Sequence, residues 1–135
     1  AFNLRNVNGE LVRPFQERMP VVLSFFFTEC QKCREEIRQL SLLAEKYNGS
    51  VGVYLVGTSF KTNVDVSDDV ARYISDIGVG FIPMVDKYKD VIRKYGVTSY
   101  PSLYFVNKKG IVTYTCSAFN EKTMNDLEKH MQKGK

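Results

Sequence analysis

Apolar positions along this chain follow two different periods. VVLSFFF (21–27) and VGVYLVGTS (51–59) are short apolar runs rich in β-branched and aromatic residues, which predict buried central strands. Between them, from Cys33 onward, Ile37, Leu40, Ala44 and Tyr47 recur at helical spacing, and Asn48-Gly49 supplies a left-handed stop. After the polar loop KTNVDVSDD, the residues Val70, Tyr73, Ile74 and Ile77 mark a second amphipathic helix that Gly78 closes. Pro83-Met84-Val85 predicts a short strand, and Tyr88 to Tyr95 a third helix ended by Gly96. SLYFV, NKKG and IVTYTCS then read as strand, turn and strand. A last helix begins near Asn120, a good N-cap residue, with Met124, Leu127 and Met131 along one face. The order β-α-β-α-β-α-β-β-α predicts an α/β protein, a mixed sheet covered by helices on both faces.

Length and composition narrow the class without changing this picture. A chain of 135 residues suits a single domain. Its hydrophobic share of 44% and charged share of 25% are those of an ordinary globular protein. The net charge of +4 is spread over interspersed signs, with no basic block carrying aromatic platforms, so nucleic-acid binding has little support. No apolar run approaches the roughly 18 residues of a membrane span. The chain opens at AFNLRNVNG without Met, a basic leader or an apolar leader, consistent with a processed form from which a signal or anchor has been removed. Three cysteines are too few for a disulfide scaffold and leave at least one thiol outside any intramolecular bridge.

The chemistry concentrates in FFFTECQKC (25–33). With a strand ending at Phe27 and a helix starting near Cys30, the first thiol is expected at the helix N-terminus, where unpaired N–H groups and the helix dipole favour an anion. Cys30 is therefore the more acidic thiol, and the thiolate is the attacking species in disulfide exchange. Cys33, one turn later and deeper, is placed for a second attack that resolves a mixed disulfide. Lys32 adds positive charge nearby, whereas Glu29 opposes thiolate formation. Glu36, three residues after Cys33, allows two readings. Turned inward, it could relay a proton at a raised pKa; turned outward, it pairs with Arg34, Arg38 or Lys32. The spacing alone favours the outward reading. Tyr100-Pro101 stands immediately before SLYFV, where a proline suits the start of a strand and the X-Pro bond is a candidate for the cis form.

FFFTECQKCREEI, followed by YGVTSYPSLYFVNKKG, resembles the thioredoxin fold and, within it, the extracytoplasmic TlpA/ResA-like thiol-disulfide oxidoreductases. The likeness runs from about LRNVNGELV to the last helix, and GVGFIPMVDKYKDVIRKYGV resembles the insertion that separates that family from plain thioredoxin. The resemblance implies Cys30 as nucleophile, Cys33 as resolving thiol, Pro101 as a cis-proline facing the dithiol and Tyr100 as a backbone partner for an extended substrate segment. It also places Glu36 where the family's active-site helix carries a glutamate. The implied activity is disulfide exchange with protein substrates, in the reducing direction, outside the cytoplasm, in a bacterial periplasm or on the outer face of the cytoplasmic membrane. The implied partners are an upstream thiol-disulfide electron donor and oxidised cysteines such as those of apocytochrome c. A monomer with a membrane anchor upstream is expected, and no cofactor, because the dithiol itself stores the electrons.

Several residues depart from the family pattern. Glu29 replaces the usual Trp before the first cysteine, Arg38 stands where a helix-kinking proline is usual, and Ser24 occupies the place of a buried Asp in thioredoxin. Tyr100 is bulkier than is common before the proline. A redox-inert binding module is the alternative reading, against which both intact cysteines argue. A zinc site completed by Cys116 and His130 fits poorly, since structural ligands usually come as two local pairs. His130 and Cys116 read more simply as a packing residue and a strand thiol. A peroxiredoxin would need a Thr where Phe27 stands, and a copper metallochaperone a wider cysteine spacing and a downstream His.

Overall fold

Two strands that the hydrophobic pattern did not predict, β1 (Leu4–Arg5) and β2 (Leu11–Val12), pair antiparallel near the start of the chain. Strands of two residues are too short to display alternation. The computed structural model describes residues 2–61 and 64–133. Residues 1, 62, 63, 134 and 135, which belong to the opening segment, the polar loop and the closing segment, lie outside the described residues.

The run VVLSFFF forms β3 (Val21–Phe27), buried at every position. It has no exposed face because it lies at the centre of a five-stranded sheet of order β5-β4-β3-β6-β7. Its parallel neighbour is β4 (Gly52–Thr58), which pairs in turn with the short parallel β5 (Met84–Val85). On the other side it pairs antiparallel with β6 (Ser102–Val106), and β6 with β7 (Val112–Cys116). The parallel pairs need crossovers, and helices supply them. These are α1 (Lys32–Lys46) between β3 and β4, and α2 (Ser67–Ile77) between β4 and β5. Next come α3 (Asp90–Tyr95) before β6 and α4 (Glu121–Lys133) at the end.

Alternation along β3 divides the core into two layers. Val22 and Phe26 pack with Leu55, Leu103 and Phe105 beneath α1, α2 and α4. Val21, Leu23 and Phe25 pack with Val56, Met84 and Val106 against α3 and the side chains of Leu4 and Val12. Helices therefore cover both faces, as the element order predicted. Gly78 and Gly96 close α2 and α3 with φ of 84° and 66°, a left-handed conformation that glycine adopts without steric cost. The α3 start lacks a side-chain cap of its own, and the buried Asp86 takes that role by accepting from the backbone N–H of Ile92 at 2.8 Å. Among the described residues no helix is long and apolar enough to cross a membrane.

Gly57 is required for a reason unrelated to turns. It faces Phe26 across the β3–β4 ladder, and a Cβ there would lie 2.5 Å from Phe26 Cζ. Phe26 is fully buried and stacks on Tyr73, so its ring has no space to retreat into. Gly57→Ala is expected to destabilise the protein by about 1–3 kcal/mol through overpacking, seen as a lower urea midpoint.

Candidate functional site

The chain leaves the sheet at Phe27, turns through Thr28 to Gln31 and enters α1 at Lys32. Thr28 N–H donates to Thr58 C=O at 3.0 Å, and Cys30 N–H to Phe27 C=O at 3.0 Å, which fixes the turn to the C-terminal ends of β3 and β4. Cys30 and Cys33 form a disulfide with a Cα–Cα distance of 5.5 Å. The helix begins two residues later than expected: Gln31 is the N-cap, and Cys30 lies just before it. Cys33 N–H, one of the donors that the first helical turn leaves unpaired, points at Cys30 Sγ at 3.1 Å. Cys33 is 1% exposed, whereas Cys30 is half-buried, so the second cysteine is the deeper one.

Glu36 overturns the outward reading favoured by spacing. Its side chain is 1% exposed and accepts a hydrogen bond from Ser24 Oγ at 2.7 Å. Arg38 pairs instead with Glu35, on the exposed side of α1. Burial pushes the Glu36 carboxyl up to about 7, and the Ser24 hydrogen bond only partly offsets this. Ser24, Leu103 and Cys116 occupy paired positions across β3, β6 and β7, so the carboxyl group sits over a row that ends at the third cysteine. The Cys116 thiol is pushed up, first by burial and further by the Glu36 charge.

Tyr100 and Pro101 arrive from the opposite direction. Ser102 pairs with Phe25, so the residues just before β6 reach the end of the sheet from which the Cys30 turn departs. The Tyr100–Pro101 bond is cis. Pro101 is buried, Tyr100 is half-buried, and the Tyr100 ring centroid lies 3.8 Å from that of Phe27. Three of the sequence-predicted site residues share α1 or its approach, and the other two come to the same sheet end. His130 lies apart from them, stacked on Tyr114, as a packing residue.

Two supports of the turn were not anticipated. Tyr73 of α2 donates from its hydroxyl to Cys30 C=O at 2.5 Å, while its ring stacks on Phe26 and lies under the Arg34 guanidinium. Tyr73→Phe keeps the stack and loses the hydrogen bond, with an expected cost of about 1 kcal/mol in urea unfolding of the oxidised protein. Glu29, expected to oppose the Cys30 thiolate, is tied to the loop after β4. Its carboxylate accepts from Ser59 Oγ at 2.7 Å and from Phe60 N–H at 3.2 Å. Partial burial pushes Glu29 up, but these hydrogen bonds outweigh it and leave the group below its ordinary value.

A dithiol at the mouth of a helix, on a mixed sheet that presents a cis-proline at the same end, defines a thioredoxin-like protein. The chain belongs to the AhpC/TSA family, whose model matches residues 1–115. It is 28% identical over 112 residues to the thioredoxin-like protein YneN of Bacillus subtilis, covering 82% of this chain and 64% of that protein. It is 27% identical over 113 residues to the thiol-disulfide oxidoreductase ResA of Bacillus thuringiensis, covering 84% of this chain and 62% of that one. The chain thus spans less than two thirds of the length of these curated relatives. The fold matches the exposed lipoprotein thioredoxin Etrx1 of Streptococcus pneumoniae with a TM-score of 0.81, at 21% identity and 98% coverage of both chains.

Proposed function

We propose that this chain is a thiol-disulfide oxidoreductase that reduces protein disulfides through Cys30 and Cys33. The observation that carries the reading is the paired dithiol with a helical N–H aimed at the sulfur of the outer cysteine. In the reduced protein that donor favours the Cys30 thiolate. The thiolate attacks one sulfur of a substrate disulfide. A Cys30–substrate S–S bond forms, the substrate S–S bond breaks, and the second substrate sulfur leaves as a thiolate that takes up a proton. Cys33 loses its proton and attacks Cys30 Sγ. This forms the Cys30–Cys33 bond, and the first substrate sulfur is released as a thiol. Two electrons pass from the dithiol to the substrate.

Glu36 is the acceptor for the Cys33 proton. Its position one helical turn from Cys33 and its pKa of about 7 support this role, because a carboxyl poised near neutrality can both take and return a proton. Tyr100 and Pro101 present backbone to an extended substrate segment beside the dithiol. An upstream thiol-disulfide donor regenerates the reduced form, and the protein acts as a monomer. The place of action is outside the cytoplasm, in a periplasm or on the outer face of a membrane, where substrate disulfides persist. The name of Etrx1, an exposed lipoprotein, and the likeness to ResA support that location. Oxidised cysteines of apocytochrome c are one candidate target.

The test is a single turnover of fully reduced protein with a disulfide-containing peptide, quenched in acid and alkylated. One peptide disulfide reduced for each Cys30–Cys33 pair oxidised supports the reading. Loss of neither protein thiol in the presence of excess peptide disulfide refutes it.

A further inference from the structure

Cys30 is held from three directions, and one of the three holds comes from outside its own turn. Its N–H donates to Phe27 C=O at 3.0 Å, its Sγ lies 3.1 Å from Cys33 N–H, and its C=O accepts from the Tyr73 hydroxyl of α2 at 2.5 Å. The first two contacts lie within the stretch from Phe27 to Cys33, so they move with the turn. The third ties the turn to a helix anchored in the core. Tyr73 is buried, its ring stacks on the fully buried Phe26 with centroids 5.1 Å apart, and Val70, Ile74 and Ile77 of α2 are buried with it. Neither the stack nor the burial calls for a phenol, since Phe would satisfy both. Burial pushes the Tyr73 hydroxyl up to about 12, so it stays a donor throughout the range in which thiols titrate. The Arg34 and Arg38 charges oppose that rise, and the Glu36 charge adds to it.

We propose that Tyr73 is a positioning residue for disulfide exchange, holding the Cys30 peptide so that its sulfur stays against Cys33 N–H when the disulfide is open. The proposal rests on the exchange reading above. In the oxidised protein the Cys30–Cys33 bond itself keeps the sulfur beside that donor. Reduction breaks the bond, and the Cys30 side chain gains conformational freedom. A thiolate is stabilised by the N–H only while the two stay in hydrogen-bonding geometry, whereas a neutral thiol gains much less from the same contact. Each restraint on the Cys30 backbone therefore favours the charged form over the neutral one. Phe27 C=O and the Tyr73 hydroxyl bracket the residue at its N–H and its C=O, which leaves the sulfur only rotation about its own Cα–Cβ bond. Without the phenol, the peptide that leads from Cys30 into α1 is free to turn toward water, and sulfur and donor drift apart.

The test is the pH profile of Cys30 alkylation. Fully reduced protein is treated with iodoacetamide across the thiol titration range, and the modification of each cysteine is counted by peptide mass. Tyr73→Phe is expected to raise the pKa of Cys30 by about 0.3 to 0.7, a roughly two- to fivefold loss of thiolate at lower pH, within what one neutral hydrogen bond supplies. A more basic thiolate is the better nucleophile, so the variant is alkylated more slowly than wild type at acid pH and as fast or faster on the alkaline plateau. Tyr47→Phe is the control. It removes a phenol hydrogen bond, to Glu128 at 2.8 Å, from the opposite end of α1. That variant is expected to lose stability to a similar degree and to leave the Cys30 profile unchanged. An unchanged or lowered Cys30 pKa in Tyr73→Phe, or an equal rise in both variants, would overturn the assignment of Tyr73 while leaving the exchange reading intact. A wild-type Cys30 that is alkylated no faster than Cys116 at neutral pH would overturn both.

Discussion

Cys30→Ser is expected to lower the rate of peptide-disulfide reduction by about three orders of magnitude or more, because a hydroxyl cannot replace the thiolate proposed to attack. Cys33→Ser behaves differently. Cys30 still attacks once, and with no resolving thiol the reaction stalls at a mixed disulfide visible as a covalent mass increase. The asymmetry follows from burial: Cys30 is the accessible sulfur, and Cys33 is almost wholly enclosed and able to act only on its neighbour. Cys116 does not compensate for either loss. It is half-buried on β7, and burial holds its thiol protonated to higher pH than an ordinary cysteine. A Cys30→Ser protein that retains a large fraction of wild-type activity would assign the chemistry to another thiol.

Glu36→Gln has the second large effect, and it appears in stability as well as in rate. The folded protein binds the Glu36 proton more tightly than the unfolded chain does, with a pKa moved from 4.5 to about 7 by burial. The stabilisation from this bound proton is fully present below the unfolded pKa of Glu and is lost as pH rises through the folded value. For the oxidised protein, wild type is expected to lose on the order of 3 kcal/mol relative to Glu36→Gln between acid and mildly alkaline pH. Urea unfolding at the two limits measures the difference, and charged surface groups common to both proteins cancel. The rate prediction uses the reduced protein. Removing a proton acceptor for Cys33 slows the resolving step by about tenfold or more and erases the inflection near neutrality from its pH profile. A stability difference without any change in that profile would leave Glu36 a buried structural carboxyl and remove it from the mechanism.

The contrast between Glu36 and the rest of the chain shows what a sequence can express. VVLSFFF announced a central strand because it is short and rich in β-branched and aromatic residues, with Ser24 its one polar position, and Gly78 and Gly96 marked helix ends because a left-handed residue is needed there. The dithiol was legible from its spacing after a strand. Glu36 was not, because Arg34, Glu35 and Arg38 beside it make the local pattern look like a charged outer face. Its direction is decided by Ser24, twelve residues earlier on a different element, whose hydroxyl satisfies the carboxyl inside the core. Ser24 had been noticed only as a departure from a family pattern. Glu29 presents the same difficulty in reverse. Its charge was weighed only against the neighbouring thiol, whereas its hydrogen-bond partners are Ser59 and Phe60, about thirty residues away. The one available signal for Phe60 was an aromatic residue at the head of a polar loop, with no apolar neighbours to give it a period. The paired strands Leu4–Arg5 and Leu11–Val12 left no signal of this kind.

The most direct test of the central claim is the reduction potential of the Cys30–Cys33 pair. The protein is equilibrated in graded thiol-disulfide buffers, quenched and alkylated, and the two thiols are counted by mass. A reductase of the kind proposed gives a single two-electron transition near the value of thioredoxin, about −270 mV. A midpoint near −120 mV would make the protein an oxidant and contradict the proposed direction of exchange.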